Sequence, residues 1–197
     1  MKLVQMMGGS TTRLAHPPLP EGAERWGLNN IFMSHTHRAR FKGWTRWFDL
    51  HGDEHIQGRK QGRRNCYPWL CAQTRPIYRW SVDPNMPASV VYPDAARQGS
   101  RLFCSSLDWM LALAIHEHFT HIDLFGWRMT HPAYQHQVGS AQWWVHKAIS
   151  EGITVTIHGN SALKVKVAAG PPPPIVIPAG CLMYGRETTD RSKLYHA

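Results

Sequence analysis

The run SSLDWMLALAIHEHFTHIDLF, residues 105–125, decides the fold class. Ser105 or Ser106 suits an N-cap, and Asp108 stands three residues after Ser105, the spacing of a capping box. Behind that cap Leu107, Met110, Leu111, Ala114 and Ile115 recur at helical spacing, which predicts a helix through about His118. The period then changes, and residues 122–125 read as a short strand. A second helix is predicted over about 137–151, where Val138, Ala141, Trp144, Val145, Ala148 and Ile149 form one stripe. It stops at Gly152, a residue that readily adopts the left-handed conformation past a helix end. Residues 153–157 then read as another strand. Helix, strand, helix, strand predicts parallel strands joined by right-handed crossovers.

Working outward, residues 2–7, 24–28 and 46–50 also read as strands. The expected fold is a single-domain Rossmann-like α/β structure: a mostly parallel sheet flanked by helices, with irregular Pro-rich insertions. It covers residues 1–160. Residues 161–197 are expected to form a Pro-rich C-terminal extension that packs on the domain or trails from it, with a polyproline II stretch at Pro171, Pro172, Pro173 and Pro174. Pro68, Pro76, Pro84, Pro87 and Pro93 punctuate 66–100, which predicts a surface or substrate-covering segment without long elements.

The chain opens on Lys2-Leu3-Val4-Gln5-Met6-Met7-Gly8-Gly9-Ser10-Thr11-Thr12, an apolar run that stops at two glycines and three hydroxyl residues. Such a loop after a first strand lets backbone N–H groups and hydroxyls meet an anion closely. Neither GxGxxG nor the lysine of GxxxxGK[ST] follows, so phosphoryl transfer from ATP is disfavoured and a diphosphate held as ligand or leaving group is expected.

With 22 Lys and Arg against 13 Asp and Glu, the formal net charge is +9, which favours a polyanionic partner, either nucleic acid or a nucleotide. The charge is clustered. Arg38, Arg40, Lys42, Arg46, Arg59, Lys60, Arg63 and Arg64 face only Asp49, Asp53 and Glu54 in the same stretch. Trp44, Trp47, Tyr67 and Trp69 lie in or beside it, and cations interleaved with aromatics suit phosphate contact and base stacking. Cys66, Cys71, Cys104 and Cys181 show neither a CxxC pair nor zinc-ligand spacing, and no long apolar leader opens the chain; a reducing, cytoplasmic setting is expected. No run is long enough to span a bilayer.

The 13 histidines invite a metal reading, strongest at His116-Glu117-His118-Phe119-Thr120-His121. A zincin helix needs histidines at i and i+4, and Thr120 occupies that position. His116 and His118 point about 200° apart on a helix. No metal is predicted, and no cofactor is required beyond a nucleotide co-substrate.

Strand ends carry the better candidates. Asn29 and Asn30 follow one strand, Asp49 and His51 another, and Gly126 and Arg128 a third. In a parallel sheet these tips converge on the carboxyl edge, where open α/β folds bind nucleotides. Gly8, Gly9, Ser10, Thr11, Asn29, Ser105, Ser106, Gly126 and Arg128 are the expected nucleotide-binding set. His51 is the expected base, since an imidazole can take a proton from a hydroxyl near neutral pH. Asp49 is expected on the other face of its strand, orienting or packing. His131, Tyr134 and Gln137, on the loop into the second helix, join Arg38, Arg40, Lys42, Arg46, Arg59, Lys60, Arg63 and Arg64 as acceptor or DNA contacts.

The series of a Gly/Ser loop after the first strand, Trp26-Gly27-Leu28-Asn29, Trp47-Phe48-Asp49-Leu50-His51, Phe103-Cys104-Ser105-Ser106 and Leu124-Phe125-Gly126 before Tyr134-Gln135-His136-Gln137 resembles small bacteriophage-encoded Rossmann-like proteins. These are distantly similar to the MptE-like and sialyltransferase-like group, which uses nucleotides or nucleotide sugars. The resemblance spans residues 1–157. It implies a glycosyltransferase-like enzyme that carries a sugar from a nucleotide to a hydroxyl, in the cytoplasm of an infected bacterium. The pattern has acids where Arg128 and Ala133 stand, so no metal role is carried over. A hydroxymethylated pyrimidine in phage DNA fits the basic, aromatic surface as acceptor. The alternatives are a non-catalytic protein that sequesters a nucleotide and a simple DNA-binding module.

Overall fold

A computed structural model of the chain describes residues 1–10, 16–29, 31–33, 43–51 and 66–164. Seven strands form one sheet: β1 Leu3–Met7, β2 Glu24–Leu28, β3 Arg46–Phe48, β4 Ile77–Arg79, β5 Ser89–Val91, β6 His121–Phe125 and β7 Thr154–Ile157. The order is β5-β4-β3-β2-β1-β6-β7, and every pairing is parallel. Among the described residues three α-helices accompany it: α1 Tyr67–Cys71, α2 Ser106–His116 and α3 Gln135–Ser150.

The chain lays strands outward from β1 to β5, then crosses back to the far side of β1 for β6 and β7. That reversal makes the β1/β6 junction the topological switch point, where a crevice opens above the carboxyl ends. Central strands are buried on both faces, hence the all-buried β1 with two methionines and only one polar residue, Gln5. Register pairs Met6 with Trp26 and with Leu124, so their side chains share a face. Against that face Phe119 meets Trp26 edge-on at 5.3 Å, while Tyr92 links Tyr78 to Trp109 of α2. On the opposite face Trp47 anchors a second aromatic group with Phe32, Trp44 and Trp69.

Segment 66–100 is not a covering segment. It supplies α1, β4 and β5, and so two of the seven strands. The prolines sit where a parallel sheet tolerates them: Pro76 immediately precedes β4, and its carbonyl accepts from Trp47 N–H at 2.9 Å. Arg46 is likewise not a surface contact. It opens β3 at the amino edge of the sheet, away from the strand tips, where its guanidinium meets Glu24 at 2.6 Å and Glu117 at 2.5 Å. Lys2 Nζ donates to the Glu117 carbonyl at 2.7 Å, and Trp26 Nε1 donates to Glu24 at 2.7 Å. Cys66 is buried, and Cys104 is disulfide-bonded, a state its spacing did not announce. No helix among the described residues is long and apolar enough to cross a membrane.

Candidate active site

A cavity of about 670 Å³ opens at the β1/β6 switch point, within the usual size of a small-ligand site. Each wall comes from a strand tip or a helix start. Gly9 and Ser10 follow β1, Leu28 and Asn29 end β2, and Ile31 lies just beyond; Gly126 to Pro132 follow β6, and Ser105 and Ser106 open α2. Tyr134 and Gln137, at the start of α3, complete it.

Backbone hydrogen bonds hold the first two walls together. Gly8 N–H donates to the Phe125 carbonyl at 2.7 Å and Ser10 N–H to the Gly126 carbonyl at 2.9 Å. The approach is so close that a Cβ on Gly8 would lie 2.5 Å from the Gly126 oxygen, whereas one on Gly9 would meet nothing within 4 Å. Gly8 is therefore a packing requirement, and Gly9 borders the space a ligand would fill. Asn29 and Met129, both lining residues, have φ of 49°, a conformation that costs a side chain about 1–2 kcal/mol. Tertiary bonds hold it there: Asn29 N–H donates to the Phe48 carbonyl at 2.9 Å and Ala162 N–H to the Arg128 carbonyl at 2.9 Å, while Ser161 Oγ donates to the Trp127 carbonyl.

The α2 start is the most tightly organised wall. Ser105 and Asp108 form the capping box: Ser105 N–H donates to Asp108 Oδ2 at 2.8 Å, and Asp108 N–H donates to Ser105 Oγ at 3.4 Å. Cys104 N–H adds a bond to Asp108 Oδ2 at 2.6 Å and Ser105 Oγ donates to Oδ1 at 2.9 Å. Ser140 of α3 donates its hydroxyl to the same carboxylate. Burial pushes the Asp108 carboxyl up to about 6 despite these donors. The N–H groups of Ser106 and Leu107 lie outside the box and remain at the positive end of the helix.

Among the described residues no Asp or Glu lines the cavity. Its polar side chains are the Arg128 guanidinium, the His131 imidazole, the hydroxyls of Ser10, Ser105, Ser106, Thr130 and Tyr134, and the amides of Asn29 and Gln137. Among the described residues no cluster of three His, Cys, Asp or Glu side chains could hold a metal.

Of the sequence candidates, Gly9, Ser10, Asn29, Ser105, Ser106, Gly126, Arg128, His131, Tyr134 and Gln137 all border this one space. Gly8 sits beneath it. Thr11, Arg38, Arg40, Lys42, Arg59, Lys60, Arg63 and Arg64 lie outside the described residues, and Arg46 is at the opposite edge. Asp49 and His51 follow β3, one strand beyond the β2 wall, and do not line the cavity. The expected separation of their faces is wrong: His51 Nδ1 lies 2.7 Å from Asp49 Oδ1, with the carboxylate fully buried. The two residues are two positions apart, which in extended backbone puts both on one side, so alternation favours this contact rather than the separation. Ile31 is the lining residue that no motif pointed to, because its short 3-10 turn has no sequence period.

No family model matches the chain, and no curated protein matches it. Solved structures do. The sialyltransferase CstII from Campylobacter jejuni in complex with CMP-3FNeuAc superposes with a TM-score of 0.53 at 14% identity, over 80% of this chain and 80% of that one. Its complex with cytidine-5′-monophosphate gives 0.52 at 13% identity, over 80% and 79%. A complex of that enzyme with a trisaccharide acceptor and CMP gives 0.53 at 12% identity, over 79% and 80%. The fold is similar to that of the sialyltransferase CstII. At this identity the likeness establishes the Rossmann-like architecture, and the chemistry rests on the cavity itself.

Proposed function

We propose that the protein is a nucleotide-sugar glycosyltransferase whose donor occupies the β1/β6 cavity. The observation that carries this reading is a nucleotide-sized cavity at the switch point, in which Arg128 and the start of α2 converge and no carboxylate stands among the described lining residues. The solved neighbours of the same fold are described with CMP and CMP-3FNeuAc.

In this reading the donor phosphate lies between Arg128 and the N–H and hydroxyl of Ser106, where a guanidinium and a helix start both favour negative charge. The acceptor hydroxyl oxygen bonds to the anomeric carbon as the carbon–oxygen bond to phosphate breaks. The hydroxyl proton passes to an imidazole, and the phosphate leaves carrying the bond's electron pair.

The hydrogen-bond partners assign opposite tautomers to two imidazoles at this edge. Asp49 accepts from Nδ1 of His51, which places that ring's lone pair on Nε2, the arrangement of a base. His131 Nδ1 accepts from Ala133 N–H at 3.2 Å, which places its proton on Nε2, the arrangement of a donor to the departing phosphate. His51 is accordingly assigned the acceptor proton and His131 the leaving group. The acceptor proposed is a hydroxymethylated pyrimidine in DNA, because the chain's net charge of +9 favours a polyanion.

Mixing the protein with CMP-linked and diphosphate-linked sugars and hydroxymethylated DNA tests the reading. It expects a mass increase of one sugar per modified base and none on unmodified DNA. Transfer to an oligosaccharide alone would keep the glycosyltransferase and remove the DNA acceptor. Because His51 does not line the cavity, a second reading is nucleotide capture without turnover; tight CMP binding with every sugar donor recovered intact would select it.

A further inference from the structure

Asp108 is fully buried and sits behind the cavity rather than in it. It joins two walls that are far apart in sequence. One oxygen, Oδ2, receives the N–H groups of Cys104 and Ser105 at 2.6 and 2.8 Å and also the hydroxyl of Ser140. The other receives the hydroxyl of Ser105 at 2.9 Å. Ser105 lines the cavity at the start of α2. Ser140 lies one turn beyond Gln137, which lines it from α3, on the same side of that helix.

A capping box needs only the Ser105 and Asp108 exchange. The Ser140 bond is additional and serves no cap, since Ser140 belongs to another helix. We propose that Asp108 is a positioning residue: its ionised carboxylate fixes the α2 start against α3, and so sets the distance between Ser106 on one side of the donor and Gln137 and Tyr134 on the other. This rests on the cavity being the donor site.

Four donors saturate a carboxylate, so protonation of Asp108 must rearrange them: one serine hydroxyl has to turn from donor to acceptor of the new O–H. Every donor that meets it from α2, from the preceding loop and from α3 is neutral, and no charged side chain is among its bonded partners in the described residues. The elevated Asp108 carboxyl, at about 6, brings that rearrangement into an accessible range.

The test has two arms, each on the full chain. In the first, amide NMR follows Cys104, Ser105 and Ser140 from pH 4.5 to 7.5. One shared midpoint near pH 6 is expected, and its loss in Asp108→Asn; separate midpoints, or a midpoint that survives in Asp108→Asn, would overturn the coupling. In the second, CMP affinity is measured for Ser140→Ala, where a loss of about tenfold or more is expected, the lower end of the usual value of one hydrogen bond to a charged group. Ser150→Ala removes a hydroxyl at the far end of α3 and leaves affinity unchanged. Wild-type affinity in Ser140→Ala would refute the positioning role. If the wild type binds neither CMP nor any other nucleotide, the donor-site reading falls by itself, and the NMR arm still decides whether Asp108 ties the two helices.

Discussion

His51 Nδ1 lies 2.7 Å from Asp49 Oδ1, and both side chains are almost wholly removed from water. Such a carboxylate fixes the tautomer and orientation of an imidazole without touching substrate.

Asp49→Asn therefore reverses the tautomer while leaving the cavity intact. Sugar transfer is expected to fall by a hundredfold or more, with CMP affinity within twofold of wild type. Initial-rate kinetics and calorimetry on the same preparation check this. Equal loss in binding and turnover would place the dyad in packing rather than catalysis.

Arg46 is predicted to matter for stability and not for ligand. Its side chain is 16% exposed and pairs with Glu24 and Glu117 at 20% and 25%. Full burial of a broken pair costs about 3–5 kcal/mol, so Arg46→Met, at a partly wet site, should lower unfolding free energy by about 2–3 kcal/mol. Denaturant titration measures it, and DNA affinity should not change.

Asp108 gives the stability an unusual pH slope. Its folded carboxyl is raised from 3.8 to about 6, so between those values the folded chain holds a proton that the unfolded chain has released. That contribution is complete below pH 4 and is lost as pH rises through 6, amounting to about 3 kcal/mol. Asp108→Asn should flatten the unfolding free energy over this interval, and urea titrations at pH 4, 5, 6 and 7 report it. A slope unchanged by the substitution would assign it to other groups.

Long periodic elements were legible in the sequence and short ones were not. The α2 cap could be read because Ser105 and Asp108 act locally, within four residues. The bond from Asp108 to Ser140 spans 32 residues and has no sequence signature. Strands β4 and β5 have three residues each, too few to show a period, and flanking prolines mimic a loop. Arg46 reads as part of a basic surface because charge counting ignores strand direction. It begins its strand as Glu24 begins β2, and in a parallel sheet both then fall at the edge opposite the cavity. The tips after β1, β2 and β6 converged because parallel strands force their ends together, while the β3 tip stopped one strand short.

Every role assigned to a residue of the β1/β6 cavity depends on its occupancy by a nucleotide. Gly9 offers the direct probe, because it lines the space assigned to the ligand and a Cβ there meets nothing within 4 Å among the described residues. Calorimetric titration with CMP should show one site per wild-type chain and at least a tenfold loss of affinity in Gly9→Val, whose melting temperature stays within about 2 °C of wild type. Undiminished binding by Gly9→Val, or no binding of any nucleotide by the wild type, would contradict it.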